Sequence, residues 1–141
     1  GLVIKAIPAT EVALKVIEQV QELAKGQPSF VNAVFADKME EIKAVLVEGA
    51  DHEAMKLQEL TTLLVAGYKE EMGKLFVRLT FPTVFEEKDP VLVMIGMVEG
   101  EQVVWEPFEA KANMEGKIEM FMEAELLLKV QAGEAVIAVL K

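Results

Sequence analysis

The chain is an acidic protein of 141 residues, with 14 lysine and arginine against 24 aspartate and glutamate side chains and a formal net charge of −10. This length is typical of one domain, so residues 1–141 are expected to form a single domain with one core. The negative charge repels phosphate backbones, which argues against nucleic acid as a partner. No cysteine is present, which excludes disulfides, thiolate metal sites and cysteine-based catalysis.

The apolar segments are too short to cross a bilayer. Although 52% of the residues are hydrophobic, uninterrupted apolar runs such as Val91 to Val98 have the length of a strand. The N-terminal residues lack the charged start and cleavage site of a secretory signal. We therefore expect a soluble cytoplasmic protein with no membrane partner.

The polar residues are almost all glutamate and lysine, with a single serine, Ser29, and a single histidine, His52. This bias is typical of proteins from hyperthermophiles. An engineered or idealised sequence would have much the same composition. Both origins predict a thermostable protein that melts well above about 50 °C.

The first half of the chain has helical periodicity. Apolar residues from Val12 to Ala24 recur at spacings of three and four, which predicts an amphipathic helix between a Thr10 cap and Gly26. The segment Phe30 to Glu48 favours a second helix, although two short strands around Asp37 fit the same residues. A leucine-rich stripe predicts a third helix from Asp51 to Met72.

The second half alternates with a period of two, which predicts antiparallel strands. The expected strands are Leu75 to Phe81, Val91 to Val98, Glu101 to Trp105, Phe108 to Ala112, Ile118 to Leu128 and Ala135 to Leu140, with a bend at Pro107. A short N-terminal strand, Leu2 to Ile7, is expected to pair with the last one. The predicted fold is α+β, with three N-terminal helices packed on a five- to six-stranded antiparallel meander sheet.

An apolar ligand pocket between the helices and the sheet is the first candidate site. Met residues are flexible and line adaptable pockets, and a bend at Pro107 would give the sheet the curvature that a pocket needs. The candidate lining residues are Trp105, Met94, Met120, Met122 and Phe76. Ordinary core packing explains the same residues.

Three carboxylates are the weaker second candidate. Glu119, Glu123 and Glu125 share one face of a predicted strand, where they could bind a divalent cation or act as an acid/base pair. A solvated sheet face paired with lysines explains them equally. No cofactor is predicted, because no glycine-rich phosphate motif or metal-ligand spacing occurs.

The last strand, Ala135 to Leu140, is apolar on both faces and would lie at the edge of a simple meander. An exposed apolar edge strand needs cover, which predicts a homodimer formed through the sheet. The leading hypothesis is therefore a non-enzymatic homo-oligomeric interaction or structural protein. The alternative is a binder of a small apolar ligand, and the third hypothesis is a carboxylate-dependent or metal-assisted enzyme.

Overall fold

The structure, a computed structural model, describes residues 1–141 and contains four α-helices and eight β-strands. The helices are α1 (Glu11–Ala24), α2 (Phe30–Val34), α3 (Met39–Val45) and α4 (Ala124–Ala132). The strands are β1 (Val3–Ile7), β2 (Leu57–Ala66), β3 (Leu75–Leu79), β4 (Leu92–Glu99), β5 (Gln102–Phe108), β6 (Lys111–Ala112), β7 (Ile118–Met122) and β8 (Glu134–Leu140). No helix is long and apolar enough to cross a membrane.

The strands form two antiparallel sheets rather than the single meander predicted. The large sheet has the order β1-β2-β8-β4-β5, and the small sheet has the order β3-β7-β6. The α+β fold class is thus confirmed, whereas the meander is wrong because β8 inserts between β2 and β4. β1 forms as expected but pairs with β2 instead of the last strand.

Both faces of the large sheet are covered. On one face, Val16 and Val20 of α1 pack around Val136 of β8, and α2 and α3 pack against β4 and the end of β8. On the other face, a cluster of 19 buried residues joins the large sheet to the small sheet and α4. The molecule therefore has three layers, with the large sheet in the middle.

The first predicted helix is confirmed as α1. Its cap is Thr10, whose Oγ1 accepts a hydrogen bond from the backbone N–H of Ala13 at 3.2 Å. Between Phe30 and Glu48 the helical alternative is confirmed and the strand alternative is wrong. The segment is divided, however, because a 3₁₀ turn over Ala36–Lys38 separates α2 from α3.

The third predicted helix is wrong, because the middle of that segment, Leu57–Ala66, is β2. Its leucines fit a helical stripe, but Thr61, Thr62 and Val65 are β-branched residues that favour strands. β2 pairs with β1 on one side and β8 on the other, so nine of its ten residues gain ladder partners. Non-local pairing thus overrides the local helical pattern.

The strand predicted from Ile118 to Leu128 is correct only as far as Met122, and α4 replaces its second half. The residues after Glu123 are mostly strong helix formers. Glu125 and Lys129 form an (i, i+4) ion pair at 3.2 Å, and Leu127 packs into the core. The bend expected at Pro107 is also wrong, because β5 pairs with β4 through this residue up to Phe108.

Candidate functional site

The five residues predicted to line an apolar pocket lie in three separate parts of the fold. Met94 and Trp105 lie on the helix side of the large sheet. Met120 and Met122 lie on its opposite side, between the two sheets. Phe76 lies on the outer surface of the small sheet and is 49% exposed. The structure therefore does not bring these side chains to one pocket.

The surroundings of Trp105 are filled by the chain's own side chains. Its indole makes an edge contact with Phe35, with ring centroids 5.2 Å apart. It also lies against the backbone of Gly96, where an added Cβ would be 2.9 Å from Cε3 of the indole and 2.6 Å from Cγ1 of Val103. A side chain at position 96 would therefore prevent this close approach.

The two main depressions of the surface are open grooves elsewhere. One, of about 640 Å³, lies between the end of α3, residues 87–91 and β6, and Glu119 is among its lining residues. The other, of about 670 Å³, lies between β5 and α4, and its lining includes Glu123 and Glu125. None of the five predicted pocket residues lines either groove.

Glu119 lies at a different groove from Glu123 and Glu125, and each of the three glutamates contacts a cation of its own. Oε2 of Glu119 accepts hydrogen bonds from Nε of Arg78 at 2.7 Å and from Nδ2 of Asn113 at 3.2 Å. These two donors lower the pKa of Glu119 below its usual value. Glu123 lies 3.7 Å from Lys74, and Glu125 pairs with Lys129. No group of three His, Cys, Asp or Glu residues could hold a metal ion.

The most unusual surface is the outer side of the small sheet. Phe76 of β3 and Phe121 of β7 lie directly opposite each other, with ring centroids 5.0 Å apart, yet they are 49% and 59% exposed. Charged side chains border both rings. Lys74 Nζ lies 5.0 Å from the centroid of Phe121, and Arg78 Cζ lies 5.7 Å from that of Phe76. Such cation–π contacts hold the rings in place at the surface.

The alternation of β3 and β7 explains why these rings face outward. Val77 and Leu79 of β3 and Met120 of β7 point into the core between the sheets. Because successive side chains of a strand point to opposite faces, Phe76 and Phe121 must then point to solvent. The buried residues therefore fix the position of the exposed aromatic pair.

Six side chains make up this surface, which we call the aromatic face: Lys74, Phe76, Arg78, Glu119, Phe121 and Glu123. The register places Arg78 opposite Glu119 next to the ring pair, and Lys74 and Glu123 lie on the other side of the rings at the ends of β3 and β7. Among these six side chains the two cations thus lie on the β3 side and the two anions on the β7 side, and Lys111 of β6, which is opposite Glu119 in register, borders the anions from the other side.

The sequence analysis predicted Phe76 in an internal pocket. It gave no role to Phe121, which lies on the solvent-exposed face of its predicted strand. A signal for the aromatic face was present, because both phenylalanines occupy the outward phase of an alternating strand. What the sequence lacked was the pairing of β3 with β7, which lie far apart along the chain. Without that pairing the two rings could not be recognised as neighbours.

No known protein family, curated protein or solved structure matches this chain at a significant level. The function must therefore be inferred from the chemistry of the chain's own surfaces. Among these surfaces, the aromatic face combines exposed aromatic rings with the chain's one arginine. Aromatic residues and arginine are the types most enriched in protein–protein interfaces.

Proposed function

We propose that this chain is a non-enzymatic interaction protein that acts as a homodimer, and that the aromatic face is its contact surface. The observation that supports this proposal is the cross-strand pair of Phe76 and Phe121, which is about half exposed on a sheet whose other side is core. Exposed rings arranged side by side on a rigid sheet form an ordered apolar surface. Aromatic residues are enriched in protein–protein interfaces.

The apolar gain of such a contact is modest. Each ring side chain leaves on the order of 100 Å² exposed, so four rings in a dimer remove about 400 Å² from water. At about 25 cal/mol per Å² this contributes roughly 10 kcal/mol. Association costs about 4–15 kcal/mol in lost rigid-body freedom, which offsets much of that gain. We therefore expect a reversible dimer.

The size of the aromatic face leads to the same expectation. β3 and β7 have five residues each, and with β6 they form a face of roughly 16 Å by 14 Å. Two such faces together bury less than about 1,000 Å², which is below the range of stable complexes. A dissociation constant on the order of 10 μM or weaker is therefore expected.

The proposed dimer has a different basis from the one expected from the sequence. β8 is the central strand of the large sheet, and its residues from Ala135 to Leu140 are all buried, so it cannot serve as an exposed edge. The edge strands of the large sheet are protected, because β1 carries the exposed Lys5 and β5 contains Pro107. A contact through a sheet face is therefore favoured over strand addition at an edge.

The carboxylates support an interaction role over a catalytic one. Glu119 and Glu123 already pair with Arg78 and Lys74 at the protein surface, and Glu125 is exposed beside Lys129. General acid or base catalysis needs a carboxyl group that is free to exchange a proton with a bound substrate. The cytoplasmic location expected from the sequence stays a prediction.

Sedimentation velocity from about 1 to 300 μM tests the proposed function. The wild-type chain should shift from monomer towards dimer across this range. The double variant Phe76→Gln and Phe121→Gln should remain a monomer at every concentration, because it removes the apolar centre of the contact. Circular dichroism should show that this variant keeps its fold.

Leu23→Gln is the matched control, because Leu23 is 58% exposed on α1, in the layer farthest from the small sheet. This variant should dimerise as the wild type does. A wild-type chain that remains monomeric at the highest concentration would contradict the proposal. Equal loss of dimer in Leu23→Gln would move the contact to the helical layer and contradict it as well.

A further inference from the structure

We infer that the two copies are related by a two-fold axis parallel to β3 and β7, so that the cationic side of each aromatic face lies over the anionic side of the other. This inference rests on the proposed function and adds the arrangement of the partner, which is a second copy of the chain. It follows from the order of charges on the aromatic face.

The aromatic face has three rows and two columns. The rows are Lys74 with Glu123, Phe76 with Phe121, and Arg78 with Glu119. The column along β3 is cation, ring, cation, and the column along β7 is anion, ring, anion. Across β3 and β7 the face is therefore polar, and along these strands it is nearly symmetric; Lys111 of β6, opposite Glu119, lies outside the two columns.

Two sheets that pack face to face with aligned strands have two possible two-fold axes in the interface plane. An axis parallel to the strands exchanges the columns and keeps the rows. Arg78 then lies over Glu119 of the second copy, Lys74 lies over Glu123 of the second copy, and unlike rings meet in the middle. All four charge contacts between the copies are attractive.

An axis perpendicular to the strands keeps the columns and exchanges the outer rows. Arg78 then lies over Lys74 of the second copy, and Glu119 lies over Glu123 of the second copy. All four charge contacts between the copies are repulsive. Because opposite potentials must meet across an interface, the parallel axis is the arrangement that the aromatic face permits.

The contacts within each chain are compatible with this arrangement. The Arg78–Glu119 pair is short, at 2.7 Å, and the Lys74–Glu123 distance is 3.7 Å, so each row is a small fixed dipole. The parallel axis stacks these dipoles side by side in antiparallel orientation. Each charge then keeps its partner within the chain and gains one from the second copy, which makes an alternating ring of four charges at each end of the ring cluster.

The first test compares dimer dissociation constants of charge variants at one salt concentration. Arg78→Glu should raise the dissociation constant roughly 10-fold or more, because two attractive contacts become repulsive. Lys15→Glu on α1 is the matched control, since it changes the net charge equally and lies in the opposite layer. The swap Arg78→Glu with Glu119→Arg keeps the net charge and restores every contact under the parallel axis. It should bind within about 3-fold of the wild type.

The perpendicular axis predicts different results. Under that axis Arg78→Glu replaces a repulsion with an attraction, and the swap dimerises more tightly than the wild type. A lower dissociation constant for Arg78→Glu than for Lys15→Glu, or a tighter dimer for the swap than for the wild type, would overturn the parallel axis. If the phenylalanine variants still abolish the dimer, the proposed function survives that failure. If the wild type never dimerises, both proposals fail.

A cross-linking test compares distances between the two copies at one protein concentration. The chain has no native cysteine, so a bismaleimide reagent reports only on introduced positions. With a spacer of about 10 Å, the distance between packed sheets, Lys74→Cys protein mixed with Glu123→Cys protein should give a cross-linked heterodimer. Lys74→Cys mixed with Arg78→Cys should give much less. The reverse yield order would overturn the parallel axis.

Discussion

The large and small sheets of this protein differ in how much of their surface is covered. The large sheet lies between two layers, and its central strand β8 is buried at all six positions from Ala135 to Leu140. The small sheet is covered on one side only, and its outer side carries the half-exposed pair of Phe76 and Phe121. The large sheet is thus buried on both faces, while the small sheet has one buried face and one exposed face.

The strands of the two sheets differ in the same way in their sequences. β8 and most of β4 are apolar at successive positions, which suits strands with both faces buried. β3 and β7 alternate, so one face is buried and the other is free to carry side chains for another purpose. Substitutions on the outer face of the small sheet are therefore expected to change stability less than substitutions in β8.

The largest expected effect of a single substitution is in β8. Ile137 is fully buried between the sheets, so Ile137→Ala should lower the free energy of unfolding by about 2–5 kcal/mol. Phe121→Gln, on the outer face of the small sheet, should lower it by less than about 1 kcal/mol. Urea unfolding of both variants, at a concentration where the chain is monomeric, measures this difference.

Equal losses for the two variants would contradict the separation of core and surface. A large loss for Phe121→Gln alone would mean that the aromatic pair is needed for folding. In that case the aromatic face would be a structural element, and its exposure would no longer support a role in self-association.

A smaller effect is expected at Gly96, on the helix side of the large sheet. Gly96→Ala places a Cβ 2.6 Å from Cγ1 of Val103 and 2.9 Å from Trp105, so it should cost about 1–3 kcal/mol. Trp105 is the sole tryptophan of the chain, so its emission maximum reports the displacement directly. Adding Val103→Ala should recover part of the loss, and an unchanged emission spectrum would show that the indole does not lie against Gly96.

The elements that the sequence predicts well are those whose apolar residues fit either a helix or a strand, but not both. α1 has a helical stripe, a threonine cap and a terminal glycine, and its bounds agree with the prediction within a residue. β4 is also predicted closely. The prediction of a helix at β2 was wrong because its leucines also fit a spacing of three and four. Only the pairing of β2 with β1 and β8 shows that the segment is a strand.

The order of strands and the candidate site could not be predicted for a related reason. The insertion of β8 between β2 and β4 depends on contacts between residues that are distant in sequence. The aromatic face depends in the same way on the pairing of β3 with β7. Residue types and phases are local properties, whereas neighbouring strands are set by the packing of the whole core.

The smallest predicted effect concerns Asp89, in the connection between the small and large sheets. Its Oδ2 accepts a hydrogen bond from the backbone N–H of Glu86 at 2.9 Å and lies 3.3 Å from Nζ of Lys141, which follows β8. The hydrogen bond from Glu86, and then the contacts with Lys141, lower the pKa of Asp89 below its usual value of 3.8. The folded state therefore binds this proton less readily than the unfolded state does.

The sign of the pH dependence follows from that lowered pKa. The ionised carboxylate stabilises the fold above pH 3.8, and this contribution is lost as the pH falls through the lower pKa of the folded state. Asp89→Asn should therefore be less stable than the wild type at pH 7, by up to about 1 kcal/mol. In urea unfolding at decreasing pH the two curves should converge below pH 3.8. A stability difference that stays constant from neutral to acidic pH would mean that the charge of Asp89 does not help to join the two sheets.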